Sequence, residues 1–324
     1  MNNFALYTWA VLGYNLLVIL WGAFVRATGS GAGCGNHWPL CNGQVIPHEP
    51  ALETLIELSH RITSGFALFA VVGLVIWAWR LYPRDNYPDS HRVKRAAAWS
   101  LFFIVTEALI GAGLVIFEYV ATNVSIARAY WIAAHLINTF FLLAALTLTA
   151  WWASGGRPIH WRQPLPMRIA LLLAFVGMFI LGASGGITAL GDTLTLTAGI
   201  DPATSPVLAQ LIALRIYHPL LAFAVGGLLW LAVWAVRRYS QEALSPRTIQ
   251  LGQTLLILYG VQLALGALNV QLKAPVWLQL VHLLFSDGIW ILLVILAASA
   301  LATSANVIEE EPDTESKEKP LIFG

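Results

Sequence analysis

The sequence predicts an all-α integral membrane protein whose eight transmembrane helices form two pseudo-symmetric four-helix bundles. Three observations predict it. Of 324 residues, 58% are hydrophobic and only 11% charged, against about 25% charged in an average soluble domain, and the mean hydropathy is +0.71. The apolar residues lie in runs that suit helical spans of about 20 residues and far exceed a barrel strand. The second half of the chain also repeats features of the first. A net charge of +1 gives no support to nucleic-acid binding.

The apolar runs cover about 5–25, 54–79, 97–118, 129–152, 168–190, 208–236, 248–271 and 277–303. Only Asn2 and Asn3 stand between Met1 and the first run. Without a basic leader it reads as a retained span rather than a cleaved signal, in the plasma membrane of a bacterium or archaeon. Basic residues set the predicted orientation. Arg80, Arg84, Arg92, Lys94 and Arg95 follow span two; Arg157, Arg162 and Arg168 follow span four; Arg237, Arg238 and Arg247 follow span six. The opposite loops and helix ends hold only Arg26, Arg61, Arg128, Arg215 and Lys273. Both termini are therefore expected in the cytoplasm. From Ser304 the chain turns polar and acidic, with Glu309, Glu310, Glu311, Asp313, Glu315 and Glu318, and 304–324 reads as a disordered tail.

Four ordered pairs of segments carry the repeat. Glu107-Ala-Leu-Ile-Gly111 in span three parallels Gln262-Leu-Ala-Leu-Gly266 in span seven, 155 residues on. His135 in span four parallels His282 in span eight, and His60 in span two parallels His218 in span six. Gly22-Ala23 in span one is paired with Gly182-Ala183 in span five. An even number of spans separates the pairs, so the units run parallel: residues 1–160 form one bundle and 161–303 the other.

Of the eight histidines, His37, His48, His91 and His160 fall in loops. The other four sit inside spans two, four, six and eight, where an ionisable side chain points to function. Their distances from the outer helix ends place them roughly 8–15 Å deep at about 1.5 Å per residue. Two histidines per bundle at matched depth can meet across it, as bis-histidine haem ligation requires. A zinc or copper site would instead need ligands converging on one point. Arg61, Arg128 and Arg215 lie near the outer ends of histidine-bearing helices, placed either to pair with haem propionates or to snorkel to the interface.

Cys34 and Cys41 are the only cysteines and share the first outer loop. In an oxidising compartment they suit a structural disulfide or a redox-active dithiol. Glu57 stands three residues before His60, on the same helix face, where a carboxylate can relay protons or serve the helix N-terminus.

Taken together, the Cys34–Cys41 loop, Glu57-x-x-His60-Arg61, His135, His218 and His282 resemble haem A synthase over about residues 10–300. The resemblance implies an oxidoreductase that converts the C8 methyl group of haem O to a formyl group, through hydroxylated intermediates, to make haem A for terminal oxidase assembly. It implies that His60 and His135 face the substrate haem O, that His218 and His282 ligate a haem b cofactor, and that Glu57 is the essential carboxylate, making Glu57, His60 and His135 the catalytic set. It also implies, as partners, the haem O synthase (a protohaem farnesyltransferase), an electron-transfer protein and further copies of the chain, within membrane lipid. This sequence departs from the pattern at Glu107, where a glutamine like Gln262 is expected, and in the third outer loop, which lacks a second cysteine pair. Asp287, five residues past His282, has no role in the pattern. A di-haem b electron-transfer cytochrome of the quinol oxidoreductase type would explain the histidines but not Glu57 or the cysteine loop. A two-repeat transporter would want more broken-helix signals than Pro219 alone.

Overall fold

The Asn2 side chain opens the first helix by accepting the Ala5 amide at 2.7 Å, which satisfies one of the amides a helix start leaves free. The computed structural model describes residues 2–82, 90–160, 162–240 and 244–302; Arg84 and the acidic tail lie outside the described residues. Within them run α1 (Asn3–Ala27), α2 (Leu52–Leu81), α3 (Ser90–Ile116), α4 (Ile126–Ala153), α5 (Leu165–Asp192), the short α6 (Pro206–Ala213), α7 (Tyr217–Tyr239), α8 (Pro246–Gln271) and α9 (Val276–Ala300). Ser125, Ser205 and Ser245 cap α4, α6 and α8 in the same way as Asn2, and prolines fill the first helical position of α6 and α8, where the missing N–H costs nothing. After α4 the chain turns at Gly155, whose φ of +85° suits a residue without Cβ.

Among the described residues eight segments are long and apolar enough to cross a membrane, and they overlap the eight predicted runs. Two differ in detail. The fifth continues past α5 through a π-helical turn, Thr193–Thr197. The sixth is broken: α6 passes through a 3₁₀ turn, Leu214–Ile216, before α7 begins at Tyr217. Pro219 is the physical reason. It has no N–H to donate to the preceding turn, so it is tolerated only in the first turn of a new helix. His218 thus sits at a helix start, whereas His60 sits within the continuous α2.

In the N-terminal half α1 packs on α2, α2 on α3, α3 on α4 and α4 back on α1, closing a ring. In the C-terminal half α5, α7, α8 and α9 close a second ring in the same order. The seam between rings is α4 against α5 and α9, with α1 also touching α9, which makes α4 the most buried span. Aromatic side chains fill the seam. Trp290 of α9 is 1% exposed, donates its indole N–H to the Phe140 carbonyl at 2.7 Å and stacks on Phe140 with centroids 4.6 Å apart. Large side chains such as Leu17, Phe69, Phe223, Trp230 and Ile257 face outward, an apolar surface too extensive for water and suited to lipid.

Candidate functional site

Each span histidine lies against a glycine of the neighbouring helix. A Cβ added at Gly22 of α1 would stand 2.9 Å from His60 Cε1, and one at Gly185 of α5 would stand 3.0 Å from His218 Cε1. The same construction gives 3.8 Å from Gly111 of α3 to His135, and 3.3 Å from Gly266 of α8 to His282. Both rings therefore use one rule: histidine on the second and fourth spans, glycine on the first and third. At Gly22, Gly185 and Gly266 the missing Cβ lets an imidazole lie against bare backbone where a methyl would crowd it. This geometry corrects the repeat register in spans one and five. Gly182 does not face a histidine; its Cβ would stand 2.7 Å from Leu136 and Phe140 of α4, so it serves the seam. The counterpart of Gly22 is Gly185, three residues further along α5.

All four histidines are half-buried, and they face one another in pairs within each ring. Their Nε2 atoms make no hydrogen bond among the described residues, and the buried Nδ1 atoms of His60, His135 and His282 have no hydrogen-bond partner either. The Nδ1 of His218 pairs with Ser184 Oγ at 2.9 Å. Paired, partly accessible imidazoles with uncommitted nitrogens fit the donor set of a bis-histidine haem. Among the described residues no three His, Cys, Asp or Glu side chains converge as an ion cage.

The first ring carries a further cluster. Cys34 and Cys41 form a disulfide, and their loop sits directly on the start of α2. A Cβ at Gly33 would fall 2.5 Å from the Glu53 backbone carbonyl, so only glycine permits this approach. Thr54 donates to the Gly33 carbonyl at 2.7 Å, and the Cys34 amide donates to Glu57 Oε2 at 2.8 Å. Arg61 grips the other oxygen of Glu57 with Nε and Nη2, while its Nη1 donates to the His37 and Leu40 carbonyls, each at 2.6 Å. Glu57, only 3% exposed, is thus fixed one turn from His60 between the loop and Arg61.

The other predicted arginines are placed differently. Arg128 is buried; its Nη1 donates to the Ala121 and Asn123 carbonyls, and its Nε has no partner. Arg215 pairs with Asp192. Asp192 is a site residue that the histidine pattern does not reveal; its sequence signal is an acid at the end of an apolar run, opposite an arginine in the following span. Arg26 reaches across the seam from α1 to the Ala189 carbonyl and Thr193 of the second ring, each at 2.8 Å, and to Gln279 at 3.1 Å.

Glu107 and Gln262, the repeat-related pair, are also unlike. Glu107 accepts from Asn138 Nδ2 at 2.6 Å and from the Thr139 hydroxyl, and lies 3.5 Å from His135 Nδ1. Gln262 instead donates to the His282 backbone carbonyl at 2.9 Å. Asp287 is 1% exposed, and neither of its oxygens has a hydrogen-bond partner among the described residues.

A family model described as cytochrome oxidase assembly protein, COX15-CtaA, matches residues 5–294. The chain belongs to this family. The matched range takes in the cysteine loop and all four span histidines. Among relatives, the Heme A synthase of Bacillus mycoides is 29% identical over 302 residues, 91% of this chain and 93% of that protein. The Heme A synthase of Bacillus cereus is 29% identical over 309 residues, 94% of each. A Thermus thermophilus protein named protoheme IX farnesyltransferase is 49% identical over 313 residues, 95% of this chain but 50% of its own length. The chain therefore spans about half of that relative.

Proposed function

We propose that this protein is a haem A synthase, which oxidises the C8 methyl group of haem O to a formyl group. The observation that carries the reading is an asymmetry within a repeat. Both rings offer a histidine pair set against glycines, but only the first carries a carboxylate locked by an arginine and a disulfide loop. A pure electron carrier needs both histidine pairs and has no use for the Glu57 cluster.

In this reading His60 and His135 hold the substrate haem O, and His218 and His282 hold haem b. When bound, haem b supplies electron-transfer chemistry that side chains lack. The protein's own residues bind, orient and move protons. Glu57 sits one turn from His60, where it would be able to take or return a proton. Arg61 and the Cys34 amide fix where its two oxygens point. Arg128, with its unpartnered Nε, and Arg215 at the loop-side ends of the rings suit propionate carboxylates. The cysteine loop then faces outward, both termini face the cytoplasm, and the membrane is a bacterial or archaeal plasma membrane. The double-length Thermus relative, with its farnesyltransferase name, supports a partnership with the enzyme that makes haem O.

The test is haem extraction from detergent-purified protein made in cells that also supply haem O, read by mass spectrometry. Haem O, hydroxylated haem O or haem A beside haem b is expected, with loss of the oxidised products in His60→Ala. Haem b alone, with haem O available, overturns the reading in favour of a di-haem b electron-transfer cytochrome.

A further inference from the structure

The two rings treat their fourth-span histidines differently. Glu107 is not a loose side chain near His135. Asn138 and Thr139, three and four residues past His135, each donate to one of its carboxyl oxygens. Asn138 is itself held, accepting from the Thr106 hydroxyl at 2.7 Å and donating to the Phe103 carbonyl at 2.9 Å. The clamp leaves Glu107 Oε1 3.5 Å from His135 Nδ1, a nitrogen that makes no hydrogen bond in this structure. In the second ring the clamp is missing: Phe285 and Ser286 occupy the places of Asn138 and Thr139. The neutral Gln262 turns its amide to a backbone carbonyl. Ser184, also neutral, meets His218. His135 is the one span histidine with a carboxylate at its Nδ1 side among the described residues.

A carboxylate facing the far nitrogen of a metal-bound imidazole fixes its tautomer and orientation and makes it a stronger electron donor. A more donating axial ligand stabilises the oxidised iron and lowers its reduction potential. We infer that Glu107 is a positioning residue for the first-ring haem: clamped by Asn138 and Thr139, it holds the Nδ1–H of His135, commits Nε2 to iron and makes this ligand more electron-donating than His282. The inference rests on the histidine assignment proposed above.

The experiment is a redox titration, followed by visible and near-infrared spectra, of the full chain purified with both haems. His135→Ala first identifies the first-ring signal by its loss. If that variant keeps both haems with unchanged potentials, the histidine assignment itself fails. Given that loss, Glu107→Gln should raise the first-ring midpoint potential and shift its ligand-to-iron charge-transfer band, with the second-ring haem unmoved. Gln262 at the equivalent place shows that an amide is tolerated there. Glu107→Asp, which keeps the charge but withdraws it by one methylene, should give an intermediate shift and serves if the glutamine variant does not accumulate. A purely structural role would move both haems together or neither. An unchanged first-ring potential in either variant, with haem content intact, overturns the inference.

Discussion

The first ring and the second share a frame and differ in what surrounds it. Both set histidines of their second and fourth spans against glycines of their first and third. Around His60 and His135 stand Glu57, Arg61, Glu107 and the disulfide loop; around His218 and His282 stand Ser184, Gln262 and a broken sixth span. A duplicated bundle can hold two like groups. It can treat them differently only where the two copies carry different residues, and in this chain Glu57 and Glu107 stand beside the first pair. The proposed function, with chemistry on one haem and electron handling by the other, is a division of labour that this asymmetry suits.

That division can be broken experimentally. The largest effect is expected from Glu57→Gln, which should lower haem A formation by about 10²- to 10⁴-fold, the usual worth of a positioned proton-transfer group. The haem b content should stay at the wild-type level, and equal loss of haem from both rings would erase the distinction. Next is Cys34→Ser with Cys41→Ser. Opening a loop closed across a sequence separation of 7 should cost about 2–3 kcal/mol of local stability. Thermal unfolding should start in the first ring, and turnover should fall because the Cys34 amide no longer pins Glu57; a uniform shift in both rings' melting would count against this.

A steric pair sharpens the comparison within the first ring. A methyl at Gly22 meets His60 at 2.9 Å, whereas one at Gly111 meets His135 at an ordinary 3.8 Å. Gly22→Ala should cost about 1–3 kcal/mol through overpacking and show as lost first-ring haem. Gly111→Ala should be neutral or slightly stabilising, since alanine gains up to about 1 kcal/mol over glycine in a helix. Haem stoichiometry of the two proteins decides. A modest loss is expected from Ser184→Ala, which removes the hydrogen bond to His218, worth about 1 kcal/mol. The second-ring haem should be retained with a modest shift in its spectrum.

The spans were legible because a hydrocarbon environment writes itself into composition: a run of apolar residues has one stable solution there, the helix. The histidines were legible for the converse reason, since polar groups at that depth stand out. The glycines opposite them were not. Gly182 and Gly185 lie three residues apart on neighbouring faces of one helix, and local similarity to Gly22-Ala23 selected the one that faces α4. Pro219 marked the break before His218, yet the continuous apolar run concealed it. The Glu57–Arg61 contact follows from i, i+4 spacing. Its link to the Cys34 amide does not, because the loop's seat on α2 depends on how closely Gly33 can approach.

Arg26 bears on how the protein is made. It belongs to α1, the first span of this chain to be synthesised, but its acceptors at Ala189 and Thr193 follow 163 and 167 residues later, and Gln279 follows 253 residues later. At about 5–20 residues per second, the guanidinium waits on the order of 10–50 s for its full set of partners. Until then its charge can be met only by water and lipid headgroups at the interface. The first ring can close before the second exists, but its loop-side end cannot be sealed until α9 has been made, so the final locking of α1 is a late event in biogenesis.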